Sequence, residues 1–101
     1  MIYVIASIQT KEGQAAAFLD IFKSNIPNVL KEKGCMEYLP AMDIPSGLGP
    51  QELDPDRVTI LEKWGSLEDL KAHLASSHMR IYQEKVKNIV EKVSLKVLEA
   101  A

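Results

Sequence analysis

The 101-residue sequence predicts an α+β fold of the ferredoxin-like βαββαβ type, an antiparallel sheet with its helices on one face. Three observations lead there. Apolar residues alternate with period 2 near both ends of the chain and again at its centre. Amphipathic stretches of helical period follow the first and third alternating segments, and a Pro/Gly-rich loop separates the second segment from the third. The sequence spells one domain, residues 1–101, with no short-period repeat and no low-complexity tract.

The opening "IYVIASIQT" puts Ile2, Val4, Ala6 and Ile8 on one face and Tyr3, Ile5, Ser7 and Gln9 on the other, so it reads as a strand. "GQAAAFLDIFKSNIPNVLKEKG" repeats Ala15, Phe18, Phe22, Ile26, Val29 and Leu30 at helical spacing, with lysines before a terminating Gly34. Pro27 removes a backbone donor inside this helix and predicts a kink or short break near Asn25. "CMEYLPAMD" is a second strand, in which Pro40 requires an irregularity or an edge position. The loop "IPSGLGPQELDPD" is too long for a hairpin turn and leaves open whether residues 43–57 form a lid. "RVTILEKW" resumes the alternation and sends Val58, Ile60, Glu62 and Trp64 to one face. Ser66 and Asp69 form a variant capping box for a helix with Leu67, Leu70 and Leu74 along its apolar stripe. "ASSH" interrupts that helix, and a second cap at Ser76 or Ser77 restarts it with Met79, Tyr82, Val86, Ile89 and Val90 facing inward. "VSLKVLE" is the last strand. Tyr3, Ile5, Leu61 and Leu98 then share the sheet face away from the helices, which predicts a sheet-to-sheet homodimer.

Composition narrows the function. A formal net charge of -2 gives no field to attract a phosphate backbone, so nucleic acid is not an expected partner. The N-terminal apolar run has no basic flank and is short for a signal peptide, and no segment approaches the roughly 20 apolar residues of a membrane span. The expected location is cytoplasmic, and the single cysteine, Cys35, fits a reducing compartment.

Residues 62 to 79, "EKWGSLEDLKAHLASSHM", hold the only tryptophan and both histidines. Imidazole is the side chain best suited to take a phenolic proton near neutral pH, which makes His73 and His78 the candidate catalytic residues. His73 borders the apolar stripe of its helix, and His78 stands one turn before Tyr82. Glu62 shares the inward strand face with Trp64, where a carboxylate must be paired, hydrogen-bonded or protonated. Two histidines and a carboxylate raise the question of iron, but no H-x-E arrangement is present and the gap from His73 to His78 spans a helix break, so no metal is expected. No G-x-G-x-x-G, P-loop or nucleophile elbow supports nucleotide, flavin or serine-hydrolase chemistry.

The run "EGQ" after the first strand, "VLKEKGC" at the end of the first helix and E-x-W followed by "EDLKAHLASSHM" together resemble the antibiotic biosynthesis monooxygenase superfamily, most closely its small bacterial quinol monooxygenases. The resemblance implies a dimeric ferredoxin-like protein that oxidises a quinol or related polycyclic phenol with molecular oxygen and no cofactor. It implies a pocket between sheet and helices, with His73 and His78 as bases and Trp64, Tyr38, Tyr82 and Glu62 as substrate-binding residues. The heme-degrading branch carries an asparagine on the first strand and a later histidine, where this chain has Ala6, Ser7 and Gln83. Two other readings stay open on the motifs: a non-catalytic dimeric module that binds a small aromatic, and an isomerase of a phosphorylated autoinducer derivative.

Overall fold

The alternation at the N-terminus becomes a nine-residue strand, β1 (Ile2–Thr10), in a computed structural model that describes residues 1–101. Val4, Ala6 and Ile8 are buried beneath the helices. A helix, α1 (Ala15–Leu30), returns the chain antiparallel to it. Two further strands, β2 (Cys35–Met42) and β3 (Arg57–Trp64), flank the long loop, and helices α2 (Leu67–Leu74) and α3 (Ser77–Val86) precede the last strand, β4 (Val90–Leu98). The four strands pair antiparallel in the order β2-β3-β1-β4. This is the ferredoxin-like arrangement that the order of elements predicts, with the second helix divided in two.

The register explains which side chains meet. Ala6 lies between Ile60 on β3 and Leu95 on β4, and Val4 lies between Glu62 and Val97, so these residues all face the helices. Phe18, Phe22 and Val29 of α1 bury against that face, and Phe22 stacks on Tyr38 of β2 at 5.1 Å between ring centroids. Tyr82 of α3 meets both phenylalanines edge-on.

Several local expectations change in the folded chain. The helix runs unbroken through Pro27, because Pro27 and Lys23 both lie on its exposed side, where water can satisfy the carbonyl that loses its donor. Leu30, expected in the core, is exposed. Pro40 is accommodated because β2 is an edge strand, and the ladder irregularity falls instead between Cys35 and Glu37. In α2 the buried positions are Leu70 and His73, whereas Leu67 and Leu74 are exposed. Ser66 caps this helix as its spacing predicts, its Oγ accepting from the Asp69 N–H at 3.1 Å. Ser76 makes no side-chain cap for α3; its hydroxyl donates back to the His73 carbonyl at 2.8 Å and so closes α2.

On the far side of the sheet, Tyr3, Ile5, Leu39, Leu61 and Leu98 are exposed. No helix is long and apolar enough to cross a membrane.

Candidate active site

A cavity of about 420 Å³ opens between the sheet and the helices. Its apolar wall includes Ala6, Ile8, Phe22, Ile60, Met79 and Val86, and Val90, Val93 and Leu95 continue it along β4. The polar groups that reach it are Tyr38, Glu62, His73, Tyr82, Gln83 and Lys87. An apolar space with a few convergent polar groups is the usual form of a small-molecule site.

His73 is placed by a two-turn helix that starts at the Ser66 cap immediately after β3. Its ring is only 1% exposed, sits 4.7 Å from Trp64 and meets Tyr38 edge-on at 5.4 Å. A ring so enclosed needs a polar partner, and Glu32 supplies it from the turn between α1 and β2. His73 Nδ1 lies 3.1 Å from Glu32 Oε1 and 3.2 Å from Oε2. A carboxylate accepts only, so Nδ1 carries the proton and donates, which leaves Nε2 as the unprotonated acceptor. Nε2 takes part in neither of these bonds, and His73 is one of the residues that line the cavity. Burial pushes the His73 pKa below its ordinary value of 6.5, and the hydrogen bond and charge of Glu32 oppose that shift.

The turn that carries Glu32 is fastened to the start of α2. Gly34 has φ +80°, and its carbonyl accepts from Gly65 N–H at 2.8 Å. A Cβ on Gly34 would meet the Asp69 carboxylate, so both the backbone conformation and the close approach require glycine here.

Glu62 enters the cavity from β3 with one oxygen held by Trp64, whose indole N–H donates to Oε1 at 2.9 Å. Desolvation raises the Glu62 pKa; the Trp64 bond lowers it and the nearby Glu32 charge raises it further. A neutral carboxyl can donate a hydrogen bond as well as accept one. Tyr38 and Tyr82 are pushed far above the ordinary phenol range, chiefly by burial and next by the Glu62 charge, so both hydroxyls stay protonated. Cys35, raised to about 11 by burial and then by Glu32 and Glu62, is no thiolate near neutral pH.

The structure therefore brings together His73, Glu62, Tyr38 and Tyr82 at one cavity and places the other two expected residues elsewhere. Trp64 is fully buried behind His73 and does not line the space, because its face of β3 is covered by α2. His78 lies outside the cavity, in a shallow polar groove between α1 and α3 with Asn25 and Asn28. Its Nε2 is 2.6 Å from Glu32 Oε1 without hydrogen-bond alignment, and its Nδ1 is 3.2 Å from Asn25 Nδ2. No three His, Cys, Asp or Glu side chains converge as a metal-ligand set.

Glu32 is the site residue that sequence reasoning passed over, although it stands in the quoted run "VLKEKGC". A signal existed. A carboxylate just past the C-terminus of a helix sits at the negative end of the macrodipole, so its presence there calls for a partner elsewhere. Lys87 and Gln83 were not among the expected site residues, since their place at the cavity depends on how α3 packs in the tertiary structure.

Comparison with known proteins agrees with this architecture. The chain is 41% identical to the "Probable quinol monooxygenase YgiN" of Escherichia coli K12, an alignment covering 98% of this chain and 97% of that one. A conserved protein from Methanosarcina mazei Go1 superposes with a TM-score of 0.84 at 24% identity, covering 99% of this chain and 92% of that one. Protein SO0527 from Shewanella oneidensis superposes with a TM-score of 0.79 at 26% identity, covering 96% and 87%. Residues 1–85 match the family described as antibiotic biosynthesis monooxygenase. By this match over most of its length, the chain belongs to the antibiotic biosynthesis monooxygenase family.

Proposed function

We propose that the protein is a cofactor-independent monooxygenase or oxidase of a quinol or related polycyclic phenol, with His73 as the base. The observation that carries this reading is an apolar cavity in which a neutral imidazole presents an unprotonated nitrogen. The relative named as a quinol monooxygenase supports the substrate class.

Dioxygen is a ground-state triplet and reacts slowly with closed-shell molecules, so without a cofactor the substrate must supply the electrons. Transfer of a phenolic proton to His73 Nε2 leaves a phenolate far easier to oxidise than the phenol. The anion gives one electron to dioxygen. The resulting semiquinone and superoxide have two fates. Transfer of a second electron and two protons yields quinone and hydrogen peroxide. Recombination at a ring carbon, followed by loss of one water, yields a hydroxyquinone. The Lys87 ammonium and the protonated hydroxyls of Tyr38 and Tyr82 are the cavity groups that can donate to the developing oxyanion, and Glu62 can accept from the substrate's second hydroxyl. Trp64 acts from behind this surface by holding Glu62 and packing against His73.

A second copy is part of the proposal. The exposed apolar residues on the outer sheet face form a self-complementary patch for a two-fold homodimer, which light scattering would register as twice the 11.3 kDa chain mass. The single free cysteine suits the reducing cytoplasm.

The test is to supply a naphthohydroquinone and oxygen to metal-stripped protein. Quinone should form faster than in the protein-free blank, and labelled dioxygen should distinguish hydroxyquinone from peroxide production. No acceleration across several quinols would overturn the reading in favour of a binding module, and turnover of a phosphorylated autoinducer derivative would overturn it in favour of an isomerase.

A further inference from the structure

We infer that Glu32 is a positioning residue for His73, and that His78 acts on the reaction only by holding Glu32, never on the substrate. The inference rests on the reading of His73 as base and deepens it.

The groups form a chain of contacts, with hydrogen bonds from Asn28 through Asn25 to His78 and from His73 to Glu32, and a close polar approach between His78 and Glu32. Asn28 Nδ2 donates to Asn25 Oδ1 at 3.0 Å, which turns the Asn25 amide nitrogen toward His78 Nδ1 at 3.2 Å. His78 Nδ1 therefore accepts, so the ring hydrogen lies on Nε2, which stands 2.6 Å from Glu32 Oε1 in a close polar contact without hydrogen-bond alignment. The same carboxylate takes the Nδ1 proton of His73. Two imidazoles thus approach one carboxylate, and only one of them, His73, lines the cavity.

The arrangement does two things for a base. It excludes the tautomer with hydrogen on Nε2, in which the lone pair would be turned away from substrate. It also sets a negative charge beside the imidazolium that forms when Nε2 takes a proton. His78 contributes by fixing the carboxylate, whose position beyond the C-terminus of α1 the helix itself disfavours. The other titratable or charged groups near His73 are Tyr38 from β2, Glu62 from β3, and Tyr82 and Lys87 across the cavity from α3 and its end. Cys35 lies close to Glu32 and is neutral.

Imidazole NMR on the full-length protein reads this directly, without turnover. In the wild type, neutral His73 should show hydrogen on Nδ1. In Glu32→Gln the negative charge is lost and one acceptor oxygen becomes an NH₂ donor, so His73 should lose that tautomer preference and its titration midpoint should fall by about one pH unit or more. The value of kcat/KM for a naphthohydroquinone should fall at least tenfold while KM stays constant. His78→Leu, at a ring partly open to solvent, should preserve the cavity, shift the His73 midpoint and lower kcat by less than His73→Ala does. Adding it to Glu32→Gln should change nothing further. An unchanged His73 midpoint and tautomer in both variants would overturn the inference. So would a His78→Leu variant as inactive as His73→Ala with normal His73 titration. If the wild type oxidises no quinol, the proposed function fails, yet the NMR arm still decides whether Glu32 sets His73. If Glu32→Gln does not fold, the His73 response in His78→Leu decides it.

Discussion

The two edges of the helix-bearing sheet face differ sharply. At the β2–β3 edge Trp64 and His73 have essentially no exposed surface, and Glu32, Glu62 and Tyr38 crowd around them. At the β4 edge Val93, Leu95 and Val97 point to the same side of the sheet yet keep 54%, 51% and 47% of their surface exposed. The helices lie over the first region and stop short of the second. Burial at the closed edge is what changes acid–base behaviour, since desolvation heads the causes at His73, Glu62 and Tyr38. The open edge leaves apolar side chains uncovered beside the same cavity. One sheet face thus carries its shifted titratable groups at one edge and its uncovered apolar surface at the other.

The largest effect should come from removing the proposed base, His73, at the closed edge. His73→Ala should slow quinone formation roughly 10²- to 10⁴-fold, while Leu95→Ala at the open edge should change it by no more than a few-fold, both measured against the autoxidation blank. Equal losses would erase the distinction.

Stability should divide the same way. Trp64→Ala deletes a fully buried indole and the donor to Glu62, and should cost about 3–5 kcal/mol in denaturant unfolding. Val97→Ala should cost less than about 1 kcal/mol when the residue remains half-exposed. A larger, concentration-dependent cost at Val97 would show that a second copy covers the open edge too.

The turn that ties Glu32 to α2 gives a smaller contrast. Gly34→Ala meets both a positive φ and the Asp69 carboxylate and should cost roughly 2 kcal/mol or more. Gly47→Ala, also at positive φ but with open space around it, should cost about 1 kcal/mol, read from thermal or denaturant midpoints.

The pH dependence is the finest probe. The folded pKa of Glu62 is raised above its ordinary 4.5, so the folded state binds its proton more tightly and stability falls as pH rises from that value through the folded pKa. Glu62→Gln should flatten this slope. The folded pKa of His73 is lowered below 6.5, so stability is lost as pH falls from that value through the folded pKa. Unfolding curves of the two single variants against pH should separate the two opposite slopes.

Much of this molecule was written locally. The strand β3 was legible from Arg57 to Trp64 because alternation and the following Ser66 cap are nearest-neighbour signals. Pro40 announced an irregularity or an edge position, because a missing N–H is a property of the residue itself, and the sheet order decided for the edge. His73, Tyr82 and Glu62 were nameable because each lies on the apolar side of its own element or beside it, whereas Tyr38 was named only through the family resemblance. The pairing of His73 with Glu32 was not legible, since 41 positions separate them and only the packing of the α1–β2 turn on α2 joins them.

The same limit explains the two histidines. Sequence placed both near Trp64 but had no means of ranking them, because five residues across a helix break fix no common direction. Element order, strand faces and helix caps were determined by the chain's own periodicities. Which imidazole meets the cavity, and which carboxylate holds it, was decided only by tertiary packing, since ring orientation and desolvation depend on atoms supplied by distant segments.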